Sequence, residues 1–248
     1  MVQLSVNVNK VATLRNARGK GLPNVVQTAI KIIEFGGQGI TVHPRPDGRH
    51  IRWTDVQDLK EQISVEFNIE GYPADHFLEK VTQVVPTQCT LVPDPPEVLT
   101  SNAGWRLEGN EVLLEKSIKK LKDKGIRVSL FVDPSEIEMK ELISLRDLGA
   151  DRIELYTESY AEAYGTDQQS EVLARFQKAA QLAYSMGLGV NAGHDLNLHN
   201  LRFFAKSVPE LLEVSIGHAL VCDALDFGWL ETISRYRACL DSSSPGQI

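Results

Sequence analysis

Short apolar runs rich in β-branched residues alternate along the chain with longer segments of helical periodicity. We predict the short runs as strands, because each is bounded by glycine, proline or polar residues. They lie at 4–8, 39–43, 65–70, 89–93, 126–133, 150–158, 188–194 and 211–219. The longer segments are predicted as helices, and several of them end in glycine, which is typical of a left-handed helix cap.

Four connections have their own predictions. The segment after the first strand, with Arg15 and Arg18 around Asn16, is predicted as a turn-rich stretch that Gly19 and Gly21 loosen. Pro23 opens a helix that runs to about Phe35, and Thr54 is predicted to cap the next helix. The stretches 93–108 and 159–167 are predicted as long loops that close over a site.

Eight strands that alternate with helices indicate a parallel sheet whose two faces are covered. Eight such units in 248 residues favour one α/β (β/α)₈ TIM barrel, since barrels of this kind need about 250 residues. We therefore expect a single domain over 1–248 with a frayed tail at 241–248. A doubly wound open sheet is the second fold considered.

Charge and composition restrict the choice of partners and compartment. The formal net charge is −7, so bulk electrostatics give no support to a nucleic-acid or anionic-membrane partner. No apolar run approaches the roughly 20 residues of a spanning helix, and no secretory signal is visible at the start of the chain. Three cysteines without metal spacing favour reduced thiols. We expect a soluble cytoplasmic protein.

The stretch GITVHPRPDGRHI, residues 39–51, contains the first candidate site. A buried strand ends at His43, because Pro44 and Pro46 have no backbone N–H to continue a sheet. Arg45 and His50 follow within one turn and are suited to bind an anion. The alternative is a buried histidine bonded to a carbonyl group, with solvated arginines beside it.

A barrel brings all strand C-termini to one face, so polar residues at separate strand ends converge. The converging residues are Asn7, Asn9, Arg18, His43, Arg45, His50, Glu70, Asp133, Glu154, Asn191, His194 and His218. Singly, each can be an ordinary hydrogen-bonded or solvated group, and for Asp133, Tyr156 and Glu158 we keep that interpretation. The turns NAGH (191–194) and IGHA (216–219) are predicted phosphate sites, because glycine admits a ligand and a following helix points its N–H groups at the ligand.

Other chemistries lack their signatures. No close-spaced metal ligands, no GxSxG turn and no lysine inside a strand end occur, and Lys10 at the mouth of strand one is the nearest lysine. The residues favour proton transfer by histidine and glutamate on small phosphorylated carbonyl compounds. A sugar-phosphate epimerase or aldolase, or a non-catalytic phosphosugar-binding barrel, stays open as an alternative.

The segments VATLRNARG, GITVHPRPDGRHI, NIEG, VNAGH and IGHA together resemble the pyridoxine 5'-phosphate synthase family from strand one to strand eight. The resemblance implies a transferase of vitamin B6 biosynthesis that condenses 1-deoxy-D-xylulose 5-phosphate with 3-amino-2-oxopropyl phosphate. It also implies a homo-octamer with no metal and no organic cofactor.

By the same resemblance, His43 and Glu70 match proton acceptors and His194 matches a proton donor. The substrate-binding positions that it implies are Asn7, Arg18, Arg45, His50, Thr100, Gly217 and His218, with Glu154 matched by its place in strand six. The chain departs from the family pattern in two places. It has Asn9 and Lys10 where an aspartate-histidine pair is usual, and Asp195 where glycine commonly follows the proton donor.

Overall fold

Eight parallel strands pair in chain order, and the last pairs with the first, so the sheet closes into a barrel. The computed structural model describes residues 1–94, 104–135 and 137–241. The strands are β1 (Gln3–Asn7), β2 (Gly39–Val42), β3 (Glu66–Gly71), β4 (Gln88–Leu91), β5 (Arg127–Val132), β6 (Arg152–Tyr156), β7 (Gly189–His194) and β8 (Leu211–Ile216). The prediction of a (β/α)₈ TIM barrel is confirmed.

Helices surround this barrel and connect its strands. They are α1 (Asn9–Arg18), α2 (Val25–Glu34), α3 (Trp53–Gln62), α4 (Asp75–Val84), α5 (Glu111–Lys122), α6 (Met139–Asp147), α7 (Glu158–Ala163), α8 (Gln169–Ser185), α9 (Leu201–Ser207), α10 (His218–Phe227) and α11 (Trp229–Leu240). None of the helices in the described part of the chain is long and apolar enough to cross a membrane.

The hydrophobic core lies between the sheet and the helices. Strand residues such as Val6, Ile40, Ile69 and Leu130 are fully buried and belong to one apolar cluster with the inner faces of the helices. Each fully buried aliphatic side chain contributes about 1.5–3 kcal/mol relative to exposure. This outer layer therefore supplies most of the burial that stabilises the barrel.

The inside of the barrel is polar, although barrel interiors are usually filled by branched apolar side chains. Near the N-terminal ends of the strands, Arg127 is paired with Glu66, and Arg152 lies 3.4 Å from Glu213. Hydroxyl, amide and carboxyl groups follow above them, among them Thr41 and Glu154. The alternate strand positions thus present hydrogen-bonding groups all the way up to the C-terminal face.

Three of the predictions for the connections are wrong. The segment predicted as turn-rich is helix α1, because Val11, Ala12 and Arg15 form one buried face and Arg15 is neutralised by an ion pair with Asp55. The loop predicted at 159–167 is largely helix α7, in which the buried Tyr160 hydroxyl donates to the carbonyl oxygen of Asn200 at 2.8 Å.

The third wrong prediction concerns the start of α3. This helix begins at Trp53, and Asp55 instead of Thr54 accepts a hydrogen bond, 2.8 Å long, from the backbone N–H of Arg52. Most of the predicted loop 93–108 and the predicted frayed tail lie outside the described residues, at 95–103 and 242–248.

Candidate active site

A cavity of about 470 Å³ opens at the C-terminal ends of the strands. Nearly all the strand-end residues that the sequence singled out meet there. Its lining residues are Asn7, Asn9, Lys10, His43, Arg45, His50, Glu70, Val92, Phe131, Glu154, Glu158, His194, Asp195, Ser215, Gly217 and His218.

His43 and Glu70 form the centre of one wall. The Nδ1 atom of His43 lies 4.0 Å from Oε2 of Glu70, and the amide of Asn7 donates to the same carboxyl oxygen at 3.5 Å. Burial, together with the positive charge of Arg45, lowers the pKa of His43 well below its ordinary value. Burial and the nearby carboxyl of Glu154 raise the pKa of Glu70 well above its ordinary value. At neutral pH the wall therefore holds a neutral imidazole, which can accept a proton, beside a carboxyl group whose protonated form is more favoured than in an ordinary glutamate.

Asn9 fixes the position of His43 from the neighbouring strand end. Its side-chain oxygen accepts the backbone N–H of His43 at 2.9 Å, while its own N–H donates to Oδ1 of Asn7 at 3.0 Å. Lys10 follows as the second residue of α1 and lines the cavity. Asn9 thus holds the backbone of His43, whereas Lys10 adds a positive charge to the cavity wall.

The loop after β2 supplies further cationic and hydrogen-bonding groups. Arg45 is buried, with its guanidinium 3.6 Å from the Asp94 carboxylate. The His50 ring lies 6.5 Å from the His43 ring, and burial, Arg45 and Lys10 lower the pKa of His50 to about 4. His50 is therefore neutral at physiological pH, and its Nδ1 accepts the backbone N–H of Ile51 at 2.9 Å.

Two residues of α1 hold this loop in place. The Asn16 amide nitrogen donates to the carbonyl oxygen of His50 at 2.8 Å and to that of Arg49 at 3.2 Å. Arg15 donates to the same His50 oxygen at 3.0 Å while it pairs with Asp55. The motif LRNARG therefore acts as a clamp on the loop that carries Arg45 and His50.

Glu154 lies deeper in the barrel and is almost fully buried. Its Oε2 is 3.3 Å from the Thr90 hydroxyl, and burial raises its pKa to about 7. A methyl group at Gly193 would lie 2.5 Å from Oε1 of Glu154. The glycine of the NAGH turn thus leaves room for this carboxyl group. The sequence pattern had instead indicated the approach of a ligand at this glycine.

His194 ends β7 with an unusual backbone conformation, φ = 102°. Such a conformation is uncommon for a residue other than glycine. Its Nδ1 lies 2.5 Å from Oδ2 of Asp195, and its ring packs edge-on against Tyr156 with centroids 5.1 Å apart. The adjacent carboxylate and ring fix the orientation of the imidazole at the cavity.

The end of β8 is suited to bind an anion. Gly217 precedes α10, His218 is the first residue of that helix, and both line the cavity. A methyl group on Gly217 would approach Cβ of Asn7 to 3.1 Å, a tight contact that glycine avoids. The first N–H groups of the helix have no intrahelical partner and favour a phosphate.

The turn after β7 differs from its prediction. No helix starts there; the chain runs from Asp195 through a turn in which Asn197 and Asn200 bond each other, and α9 begins only at Leu201.

Three predicted site residues are not seen in the cavity wall. Asn191 is buried, and its side-chain oxygen accepts a hydrogen bond from Arg152 at 3.0 Å. Arg18 is the exposed last residue of α1, and Thr100 lies outside the described residues. Sequence reasoning also missed Val92, Phe131 and Ser215, and it assigned Glu158 no role, although all four line the cavity. Only the alternation of strand positions could have indicated Phe131 and Ser215, since each lies two residues from another inward-facing residue. The roles of the individual site residues stay predictions.

Among residues 1–94, 104–135 and 137–241, no three histidine, cysteine, aspartate or glutamate side chains are grouped to hold an ion. Metal-independent chemistry stays a prediction.

Comparison with known proteins decides the family. The sequence model described as "Pyridoxal phosphate biosynthesis protein PdxJ" matches residues 4–242. The chain belongs to this family. Relatives named "Pyridoxine 5'-phosphate synthase" include that of Parabacteroides distasonis, 56% identical over 98% of this chain and 100% of the relative. The one from Porphyromonas gingivalis is 53% identical over 96% of this chain and 98% of the relative.

Solved structures at low identity share the fold of this PdxJ-family chain. A 3-keto-L-gulonate-6-phosphate decarboxylase from Vibrio cholerae superposes with a TM-score of 0.66 at 11% identity, over 98% of this chain and 99% of that one. A phosphoribosyl anthranilate isomerase from Thermotoga maritima superposes with a TM-score of 0.61 at 15% identity, over 97% of this chain and 98% of that one. At such identities the likeness shows the barrel fold alone.

Proposed function

We propose that this protein makes pyridoxine 5'-phosphate by condensing 1-deoxy-D-xylulose 5-phosphate with 3-amino-2-oxopropyl phosphate, with release of phosphate and water. The observation that carries the proposal is the meeting of His43, Glu70 and His194 in one cavity. The names of relatives about half identical to this chain support the same reaction.

The paired wall of His43 and Glu70 supports acid-base catalysis. Joining an amine to a ketone, closing a ring and aromatising it require repeated proton transfers, and positioned side chains accelerate each of them. The neutral His43 is ready to accept a proton, and the raised pKa of Glu70 makes its carboxylate a stronger base than that of an ordinary glutamate. We assign Glu70 as a second proton acceptor, the role matched by resemblance.

His194 is the third group in this scheme. It faces the cavity from β7, and the Asp195 carboxylate on its Nδ1 leaves Nε2 to meet a substrate. We assign His194 as the proton donor to the departing oxygen.

Two phosphate-bearing substrates need two anion sites. Arg45 and Lys10 supply positive charge on the β1–β2 side, and the start of α10 at Gly217 and His218 supplies backbone N–H groups near β8. Charge-assisted bonds to phosphate are roughly twice as strong as neutral ones. We place the reactive carbons of both substrates near His43 and Glu70, which line the same cavity.

The setting of the reaction is part of the same proposal. We place the enzyme in the cytoplasm and, by family resemblance, in a homo-octamer. Light scattering on the eluting chromatographic peak measures the assembly mass, and a monomer would contradict the octamer without affecting the chemistry.

The reaction is tested by mixing the purified protein with both substrates and following product by mass and absorbance. We expect one phosphate to be released for each pyridoxine 5'-phosphate formed and none with either substrate alone. Product absent under all conditions, with both substrates consumed by another route, would instead favour an epimerase or aldolase. Binding without consumption would favour a phosphosugar-binding barrel.

A further inference from the structure

A chain of hydrogen bonds crosses the barrel directly below the cavity. It begins at Glu154 on β6, passes to Thr90 on β4, and continues through Asn68 to Thr41. The oxygen-oxygen distances from the Thr90 hydroxyl are 3.3 Å to Oε2 of Glu154 and 3.1 Å to Oδ1 of Asn68. The Asn68 amide nitrogen donates to the Thr41 hydroxyl at 3.5 Å. All four side chains are buried.

The Thr90 hydroxyl has one proton and two neighbouring acceptors. A hydroxyl group donates one hydrogen bond and accepts two. The Gln88 amide nitrogen already donates to Thr90 Oγ1 at 3.4 Å, so the oxygen has one further lone pair. The single proton of Thr90 can go to Asn68 or to Glu154, but not to both.

The protonation state of Glu154 decides between these two arrangements. When Glu154 is protonated, its O–H donates to Thr90, and Thr90 donates to Asn68. When Glu154 is ionised, it can only accept, so the Thr90 proton must turn toward the carboxylate. A buried carboxylate without a donor would be costly, and the rotation of one hydroxyl avoids that cost.

We propose that Thr90 is a positioning residue for Glu154: its hydroxyl turns between Asn68 and the carboxyl group, so both protonation states of the buried acid keep a hydrogen bond. Thr90 does not line the cavity and acts only through Glu154. The inference rests on the proposed function only for the statement that Glu154 gains and loses a proton during the reaction. Its structural part, the coupling of Thr90 to the titration of Glu154, holds without it.

Other charged groups also face Glu154 and must be kept constant in a test. These are Glu70 from β3, His194 from β7, Glu213 from β8 and Arg152 on its own strand. Thr90→Val replaces a hydroxyl with a methyl group of similar size and leaves all four charges in place. A change in the titration of Glu154 can then be assigned to the lost hydroxyl.

The matched control lies on the adjacent strand. Ser129 pairs in register with Thr90 and is fully buried, and its hydroxyl has no hydrogen-bond partner in the described part of the chain. Ser129→Ala therefore removes a buried hydroxyl from the same level of the barrel without touching Glu154. Thr90→Ser, which keeps the hydroxyl, is the conservative variant expected to restore the parent behaviour.

The experiment is a ¹³C NMR titration of the Glu154 carboxyl carbon, assigned with Glu154→Gln, in protein labelled at glutamate. We expect Thr90→Val to raise the midpoint by about half to one pH unit, because a charge-assisted bond to the carboxylate is stronger than the neutral bond of the acid. Thr90→Ser and Ser129→Ala should titrate like the parent. If Thr90→Val does not fold, Thr90→Ala gives the same expected shift.

A failure of this inference can be distinguished from a failure of the proposed function. An unchanged midpoint in Thr90→Val, or an equal shift in Ser129→Ala, overturns the role of Thr90 whatever the activity is. A shifted midpoint with an unchanged pH profile of turnover supports the coupling but removes Glu154 from the reaction. A parent protein that makes no product refutes the proposed function, and the titration still tests Thr90.

Discussion

The buried ion pair between Arg15 and Asp55 supports the loop that carries Arg45 and His50, and removing it should weaken the fold. Both side chains are nearly buried, at 9% and 11% exposure. Asp55 also accepts the backbone N–H of Arg52 at 2.8 Å, which caps α3. Asp55→Ala removes both bonds and leaves the Arg15 guanidinium buried without a counter-charge.

The magnitude follows from these contacts. Breaking a buried ion pair from one side costs about 3–5 kcal/mol, and losing a helix cap costs about 1 kcal/mol. Arg15 keeps bonds to the His50 carbonyl and to the Asn16 side chain, so we expect the lower end for the ion pair and, with the cap, about 4 kcal/mol in total. The double variant Arg15→Leu/Asp55→Leu leaves no buried charge and should cost less than Asp55→Ala alone, about 1–2 kcal/mol.

Urea unfolding at a fixed protein concentration measures these differences. The control is Glu171→Ala, which breaks an exposed pair with Arg175 whose atoms are 2.7 Å apart and should cost no more than about 0.5 kcal/mol. Asp55→Ala should also raise the Michaelis constant of a phosphorylated substrate, because the loop after β2 loses its clamp. A loss in Asp55→Ala no greater than in the control, or a double variant as unstable as the sum of its single changes, would refute the reasoning.

Three further predictions concern individual groups and conditions. Burial raises the pKa of Glu154 from an ordinary 4.5 to about 7, so ionising this carboxyl group destabilises the folded protein. The free energy of unfolding therefore falls as the pH rises from about 4.5 to 7. Glu154→Gln should then match the parent near pH 3.5 and exceed it by about 3 kcal/mol near pH 8.5 in urea unfolding, and an equal difference at both would contradict the buried acid. Lys10→Met should raise the Michaelis constant for 1-deoxy-D-xylulose 5-phosphate with turnover mostly intact, whereas borohydride trapping of a substrate on Lys10 would indicate a Schiff base. Activity should survive exhaustive chelation, and its loss with recovery on one divalent ion would establish a metal requirement.

The barrel was predictable because its strands have a strong local signal. Segments such as that around Ile40 are short and apolar, are rich in β-branched residues and end at a proline or glycine, so their type did not depend on distant contacts. Helix α1 was missed for the opposite reason. Its buried face includes Arg15, whose charge is tolerated only because Asp55, far along the chain, neutralises it.

The site was predictable where a polar residue ends a strand. His43 and His194 could be assigned to one face from topology alone, because all strand C-termini of a barrel meet there. Phe131 was missed because an apolar side chain at a strand end has no pattern that separates cavity wall from core. The link from Thr90 to Glu154 was also hidden, since the two residues are on strands separated by β5.

The central claim is that strand-end acids and bases carry out the chemistry while the cationic loop binds phosphate. Steady-state kinetics of Glu70→Gln, His194→Ala and Arg45→Ala, with the exposed His199→Ala as control, tests it most directly. We expect the first two to lower kcat by about 10²- to 10⁴-fold with little change in phosphate binding. Arg45→Ala should chiefly raise the Michaelis constant, and the control should behave like the parent. Near-normal kcat in Glu70→Gln would contradict the account.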